Sequence, residues 1–135
     1  MSQEIIFAPM GVMALITFVV LGFIPARRFR AAAAGRVKAD DFRFGESAAV
    51  PGDVSIPNRN YMNLLELPTL FYVAGLMYYV AGRVDQTALA VAWTYVGLRA
   101  LHSVIHLTYN NVFHRLTAFG LSNVVLMAFW LLFFV

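Results

Sequence analysis

The sequence predicts an all-α integral membrane protein, a single four-helix bundle with up-down-up-down topology. Three observations carry that prediction. Mean hydropathy is +0.71 and only 13% of the 135 residues are charged, about half the share expected of a soluble domain. The apolar residues gather into runs of about 20, the length that crosses ~30 Å of hydrocarbon. The second and third connections are only a few residues long, so neighbouring helices must run antiparallel. The length allows one domain, residues 1–135.

The first helix is expected at about residues 5–26. It lacks a basic leader and a cleavage site, and Glu4 is acidic, so it reads as an uncleaved span. Pro9 lies in its first turns, where a missing N–H is cheap, and Pro25 is expected to end it. A polar loop, 27–57, follows with Arg27, Arg28, Arg30, Arg36, Lys38 and Arg43. Its first part, with Ala31–Ala34, is able to prolong the helix into water. Beyond that, Asp40, Asp41, Gly45, Pro51, Gly52 and Pro57 read as loop. Clustered cations beside a span mark the cytoplasmic face rather than a nucleic-acid site, which puts the N-terminus outside.

The second helix is expected at about 58–81, bent by Pro68, which frees the Leu64 carbonyl. Gly82–Gln86 is a short external turn, and 87–109 forms the third helix. The turn 110–115 returns the chain to the cytoplasmic side, and 115–135 forms the fourth helix. The absence of cysteine excludes disulfides and a cysteine nucleophile. Any thiol chemistry must use a thiol that a substrate brings.

Two polar stripes interrupt this apolar pattern. At 100° per residue, Arg59, Asn63 and Glu66 share one face of the second helix, and Arg99, His102, His106 and Tyr109 share one face of the third. A charge at such depth costs ~2.5–3.5 kcal/mol and normally finds a partner inside the bundle. Glu66 and Arg99 lie at matching depth, so they are expected to pair at the floor of a polar pocket. Taken singly, each feature has a plain structural reading. Glu66 with Arg99 can simply fix helix register, and His114 and Arg115 can reach to headgroups. His102 and His106 at i, i+4 are a weak metal pattern, so no metal is expected. Bis-histidine haem is disfavoured because His102, His106 and His114 all lie on the third helix or just after it. The sum of two stripes, at one depth and on one side, points to a site.

Arg59-x3-Asn63-x2-Glu66, together with Arg99-x2-His102-x3-His106 and with Arg115 opening the fourth helix, resembles a known signature. It is that of the membrane-associated proteins in eicosanoid and glutathione metabolism, the MAPEG superfamily, whose members include microsomal glutathione transferases and prostaglandin E synthase. The resemblance covers the whole chain. It implies a homotrimer in membrane lipid, with glutathione as co-substrate bound between subunits near the cytoplasmic side. By motif position, Arg59, Asn63, Glu66, Arg99 and His102 look like the glutathione-holding set. His106 stands where a tyrosine is commoner, with Tyr109 on the same face. Arg27 or Arg28 is similar to an arginine that reaches the tripeptide's carboxylate, and Arg115 looks like the catalytic arginine.

The implied activity is glutathione transferase chemistry on lipophilic small molecules, a detoxification role, with hydroperoxide reduction open beside it. Leu116 replaces a serine, Met62 a basic residue, Leu64 an acidic one and Phe119 a tyrosine, so prostaglandin and leukotriene specificities are not supported. The alternative is a non-catalytic lipid-binding or scaffolding relative, which the Arg115-Leu116 departure favours. The implied chemistry is physically sufficient. Lowering a thiol pKa of about 8.5 by two units takes ~2.7 kcal/mol. One guanidinium at ~4 Å supplies about 4 kcal/mol at an effective dielectric of 20.

Overall fold

A computed structural model describes residues 1–135. It contains five α-helices: α1 (Phe7–Ala33), α2 (Gly52–Leu65), α3 (Pro68–Val80), α4 (Gln86–Leu107) and α5 (Val112–Phe134). Short 3₁₀ turns occupy Gln3–Ile6 and Ala39–Phe42. Helices α2 and α3 are the two halves of one broken crossing, so the architecture is the expected four-helix bundle. Each of α1, α4 and α5 is long and apolar enough to cross a membrane alone.

Helix α1 corrects one expectation. Pro25 lies inside it rather than at its end. A proline removes a single ladder bond, here to the Leu21 carbonyl, and a membrane helix tolerates that loss. The actual stop is Gly35, at φ +72°. Its N–H donates to the Ala32 carbonyl at 3.0 Å, and the Arg36 N–H donates to Ala31 at 2.9 Å. That is the left-handed glycine termination of a helix. Arg27, Arg28 and Arg30 are therefore helical, on two turns that carry α1 beyond the span.

Helix α2 begins at Gly52, not at 58, with Pro51 extended before it. Pro57 sits inside α2 and cannot bond the Asp53 carbonyl four residues back. Arg27 takes up that carbonyl through Nη1 at 3.0 Å and reaches the Leu107 carbonyl, at the end of α4, through Nη2 at 2.8 Å. One arginine thus joins three helices by satisfying carbonyls that helix geometry leaves free. The bend expected at Pro68 is a full break. Glu66 leaves helical geometry at ψ −99°, Pro68 opens α3, and the Thr69 hydroxyl donates to the Leu65 carbonyl at 2.7 Å.

The remaining turns are capped by side chains. Asp85 accepts from the Ala88 N–H at 2.7 Å to start α4, and Asn111 accepts from the His114 N–H at 3.0 Å to start α5. Helix α4 ends at Leu107, short of 109, and α5 starts at Val112, ahead of 115. Between them Asn110 adopts φ +48°.

The apolar core fills the half of the bundle nearer the short Gly82–Gln86 turn. Phe71 packs on Tyr95 and Phe129, and Tyr78 stacks on Phe129 with centroids 4.7 Å apart while its hydroxyl donates to the Phe129 carbonyl at 3.0 Å. Leu15, Phe18, Val104, Val124 and Leu131 point outward, as expected where the solvent is lipid. Buried polar side chains concentrate in the other half: Ser55, Asn60, Arg99, His102, Ser103 and His106.

Candidate functional site

That polar half opens into a cleft of about 360 Å³. Helix α2 contributes Gly52, Ser55, Ile56, Arg59 and Asn63, which recur every three or four residues and so share one face. Helix α4 contributes His102 and His106, the turn contributes Asn110, and α5 contributes Arg115. Ile56 is the one hydrophobic residue among these nine. A side branch of about 230 Å³ shares Asn63, His102 and Arg115 and continues between Val112, Leu116 and Phe119. The site therefore joins a cationic chamber to an apolar one, with Arg115 at the junction.

The two arginines of the chamber are differently held. Arg115 is half-buried and donates through Nη1 to Asn110 Oδ1 at 2.7 Å. Arg59 is exposed and forms no ion pair within the chain. Beneath the chamber, Arg99 is 0% exposed. Its Nη2 donates to Asn63 Oδ1 at 2.6 Å and to the Asn63 carbonyl at 3.3 Å, while Nε and Nη1 are buried without a partner. Its guanidinium lies 5.6 Å from the centre of the Phe119 ring. The His102 ring is 5.7 Å from both His106 and Phe119, and the Nδ1 atoms of both histidines are buried and unpaired. Behind the wall, Ser103 donates to Asn60 Oδ1 at 3.3 Å.

The structure brings together Arg59, Asn63, His102, His106 and Arg115, with Arg99 supporting Asn63 from below. It does not bring in the others. Glu66 is exposed, and no Glu66–Arg99 ion pair exists within the chain. The chain leaves helical geometry after Glu66, at ψ −99°, and the Asn63 amide oxygen takes the guanidinium instead. Arg27 is committed to two carbonyls, and Arg28 pairs with Glu46 at 3.1 Å on another face of α1. Tyr109 lies past the end of α4, 61% exposed, with its hydroxyl 2.9 Å from His114 Nδ1. No group of three potential metal ligands occurs.

Ser55 and Asn110 line the cleft without having been singled out in the sequence. Ser55 stands four residues before Arg59, a helical spacing hidden by placing the helix start too late. Asn110 is seen only through its left-handed backbone, which turns its amide toward Arg115.

The sequence model of the MAPEG family matches residues 6–135. The chain belongs to the MAPEG family. Many MAPEG proteins are glutathione-dependent enzymes of the membrane, and the motif residues that carried the resemblance include five that meet in this cleft. No curated protein and no solved structure matches the chain.

Proposed function

We propose that this MAPEG protein is a membrane-embedded glutathione transferase whose cleft holds the tripeptide as its thiolate. The observation that carries the reading is the lining: two guanidiniums, two imidazoles and two carboxamides around one chamber, opening sideways onto Val112, Leu116 and Phe119. Glutathione presents two carboxylates, one ammonium and a thiol. Arg59, without a carboxylate partner in the chain, is suited to a bidentate grip on a carboxylate. Asn63 and the histidines orient the peptide portion. Arg115 faces the sulfur; the thiol proton leaves to water and the guanidinium stabilises the charge that remains.

The lipophilic electrophile occupies the apolar branch. Sulfur forms a bond to its electrophilic carbon, and the electron pair of the breaking bond departs with the leaving group. A hydroperoxide would meet the same thiolate: sulfur takes the terminal oxygen as the O–O bond breaks and the alcohol leaves. A second glutathione then displaces water from the sulfenic acid to give the disulfide. The reading extends to a homotrimer with the cleft on the cytoplasmic side, where glutathione is supplied.

A second reading has one observation in its favour. Leu116 follows Arg115, is 62% exposed and has no hydroxyl to offer the sulfur, so a relative that binds without activating the thiol is the competing case. Glutathione titration of the nanodisc-reconstituted protein, followed by ultraviolet thiolate absorbance and by conjugation of an aryl halide, separates the two. The transferase reading expects a thiolate signal that Arg115→Ala abolishes, with a rate loss on the order of 10²-fold. Binding with no thiolate signal in the unaltered protein would sink it.

A further inference from the structure

We propose that a second groove, between the water-facing end of α1 and the loop that follows it, binds one anionic phospholipid. Its volume is about 490 Å³, within the ~300–1,000 Å³ of small-molecule sites. It shares no residue with the polar cleft, and the inference is independent of the glutathione reading.

The groove is graded in the order of a lipid. Ile24, Pro25, Phe29, Val37 and Phe42 form its apolar wall, and Arg28 and Lys38 are the cations at it. Ile24 and Pro25 precede the first arginine of α1, so they lie at the edge of the hydrocarbon. Lys38, on the loop beyond, is exposed and forms no ion pair. Arg28 lies 4.5 Å over the Phe42 ring and holds Glu46 through Nη2. An acyl chain would lie along the wall and a phosphate would sit against Lys38 with Arg28 behind it.

Charge selects the headgroup. Between Arg27 and Glu46 there are six cations against three acids, and Asp53 of α2 neutralises Arg36, which leaves a net charge of +2. Glu46 is occupied by Arg28, Asp41 by the Lys38 backbone N–H at 2.8 Å, and Asp40 lies 3.9 Å from Arg43. The surplus is positive at the level of the headgroups, where each cation favours an anionic lipid by a factor of about five. Phe29 and Phe44, 73% and 93% exposed, flank the region with the aromatic side chains that settle at such interfaces.

The test uses the full chain in phosphatidylcholine nanodiscs with Phe29→Trp as reporter, the unaltered protein giving the background of its two native tryptophans. Quenching by phosphatidylglycerol with brominated chains should half-saturate at about a five-fold lower mole fraction than quenching by brominated phosphatidylcholine. Lys38→Gln should remove that preference. Ala32→Phe, which narrows the groove without changing charge, should abolish saturable quenching while leaving the melting temperature unchanged. Equal quenching by both lipids overturns the proposal, as does a preference that survives both variants, which would be general surface attraction. Displacement by inorganic phosphate would indicate a phosphate site instead, and a change of oligomer mass in Ala32→Phe would indicate a second copy as the occupant.

Discussion

Arg115 lines the cleft and Arg99 lies beneath it, and their surroundings give them different work. Arg115 lines the chamber, is half-buried and gives Nη1 to Asn110. Arg99 is sealed beneath it with a single neutral side-chain partner, Asn63. A buried cation held by one carboxamide is sensitive to losing it, because the uncompensated charge stays behind. Asn63→Ala should lower stability by about 1.5–3 kcal/mol, measured by thermal unfolding in detergent. Adding Arg99→Met should restore part of that loss, since the charge is then gone as well; a double variant no more stable than the single would refute this account. Arg27 is the complementary case. Its two hydrogen bonds to carbonyls of α2 and α4 make it a clamp, so Arg27→Gln should cost about 1–3 kcal/mol with little change in glutathione affinity. A large rise in the glutathione KM at unchanged stability would instead return Arg27 to the binding role that motif position implies. The residues that meet in the cleft were legible in the sequence wherever helical phase was continuous, as for Arg59 with Asn63 and His102 with His106. The Glu66–Arg99 pair expected from matching depth is absent within the chain, because depth alone does not show that Asn63, one turn earlier, reaches the guanidinium first.

At the scale of elements, prolines and glycines divide the labour differently from a simple reading of helix breakers. Pro25 and Pro57 are absorbed inside helices, the latter because Arg27 satisfies the freed carbonyl. Pro68 does break the chain, at the very segment where Glu66 lies. A sequence shows that each proline removes a donor; it does not show which freed carbonyl has an arginine nearby. Gly35 carries the termination of α1 at φ +72°, so Gly35→Ala should cost about 1–2 kcal/mol and fray the last turn of α1, measured by amide hydrogen exchange. The loop it opens is latched back onto α2 by Arg36, whose Nη1 and Nη2 lie 3.0 and 2.7 Å from the Asp53 carboxylate. The Arg36 guanidinium hydrogen-bonded to Asp53 holds its carboxyl below the usual carboxylate range. A carboxyl depressed in the folded state lends stability above its unfolded pKa of about 3.9 and loses it as pH falls through the folded value. Loop proteolysis should therefore be constant from pH 5 to 8 and rise only below about pH 4. Asp53→Asn should show the loosened loop at every pH; a pH-dependent rise persisting in that variant would place the titrating group elsewhere.

At the scale of the molecule, Glu66 is a charge without an ion-pair partner in the single chain. Glu66 is exposed and stands fourteen residues before the far end of α3 at Val80, about 21 Å along the axis; with Val80 at one edge of a ~30 Å hydrocarbon core, Glu66 falls inside it. Facing lipid there would cost ~2.5–3.5 kcal/mol. Covering by another copy of the chain removes that cost if the neighbour supplies a donor, which is the physical argument for the proposed trimer. The two situations respond oppositely to one substitution. If Glu66 faces lipid, Glu66→Leu should stabilise the isolated chain and leave its assembly state unchanged. If Glu66 faces a neighbouring subunit, the same substitution strands the partner's donor and weakens assembly. Light scattering in mild detergent should give a mass of three 15.1 kDa chains for the unaltered protein and a shift toward smaller species for Glu66→Leu. A more stable variant with unchanged mass would return Glu66 to the lipid and remove this support for the trimer.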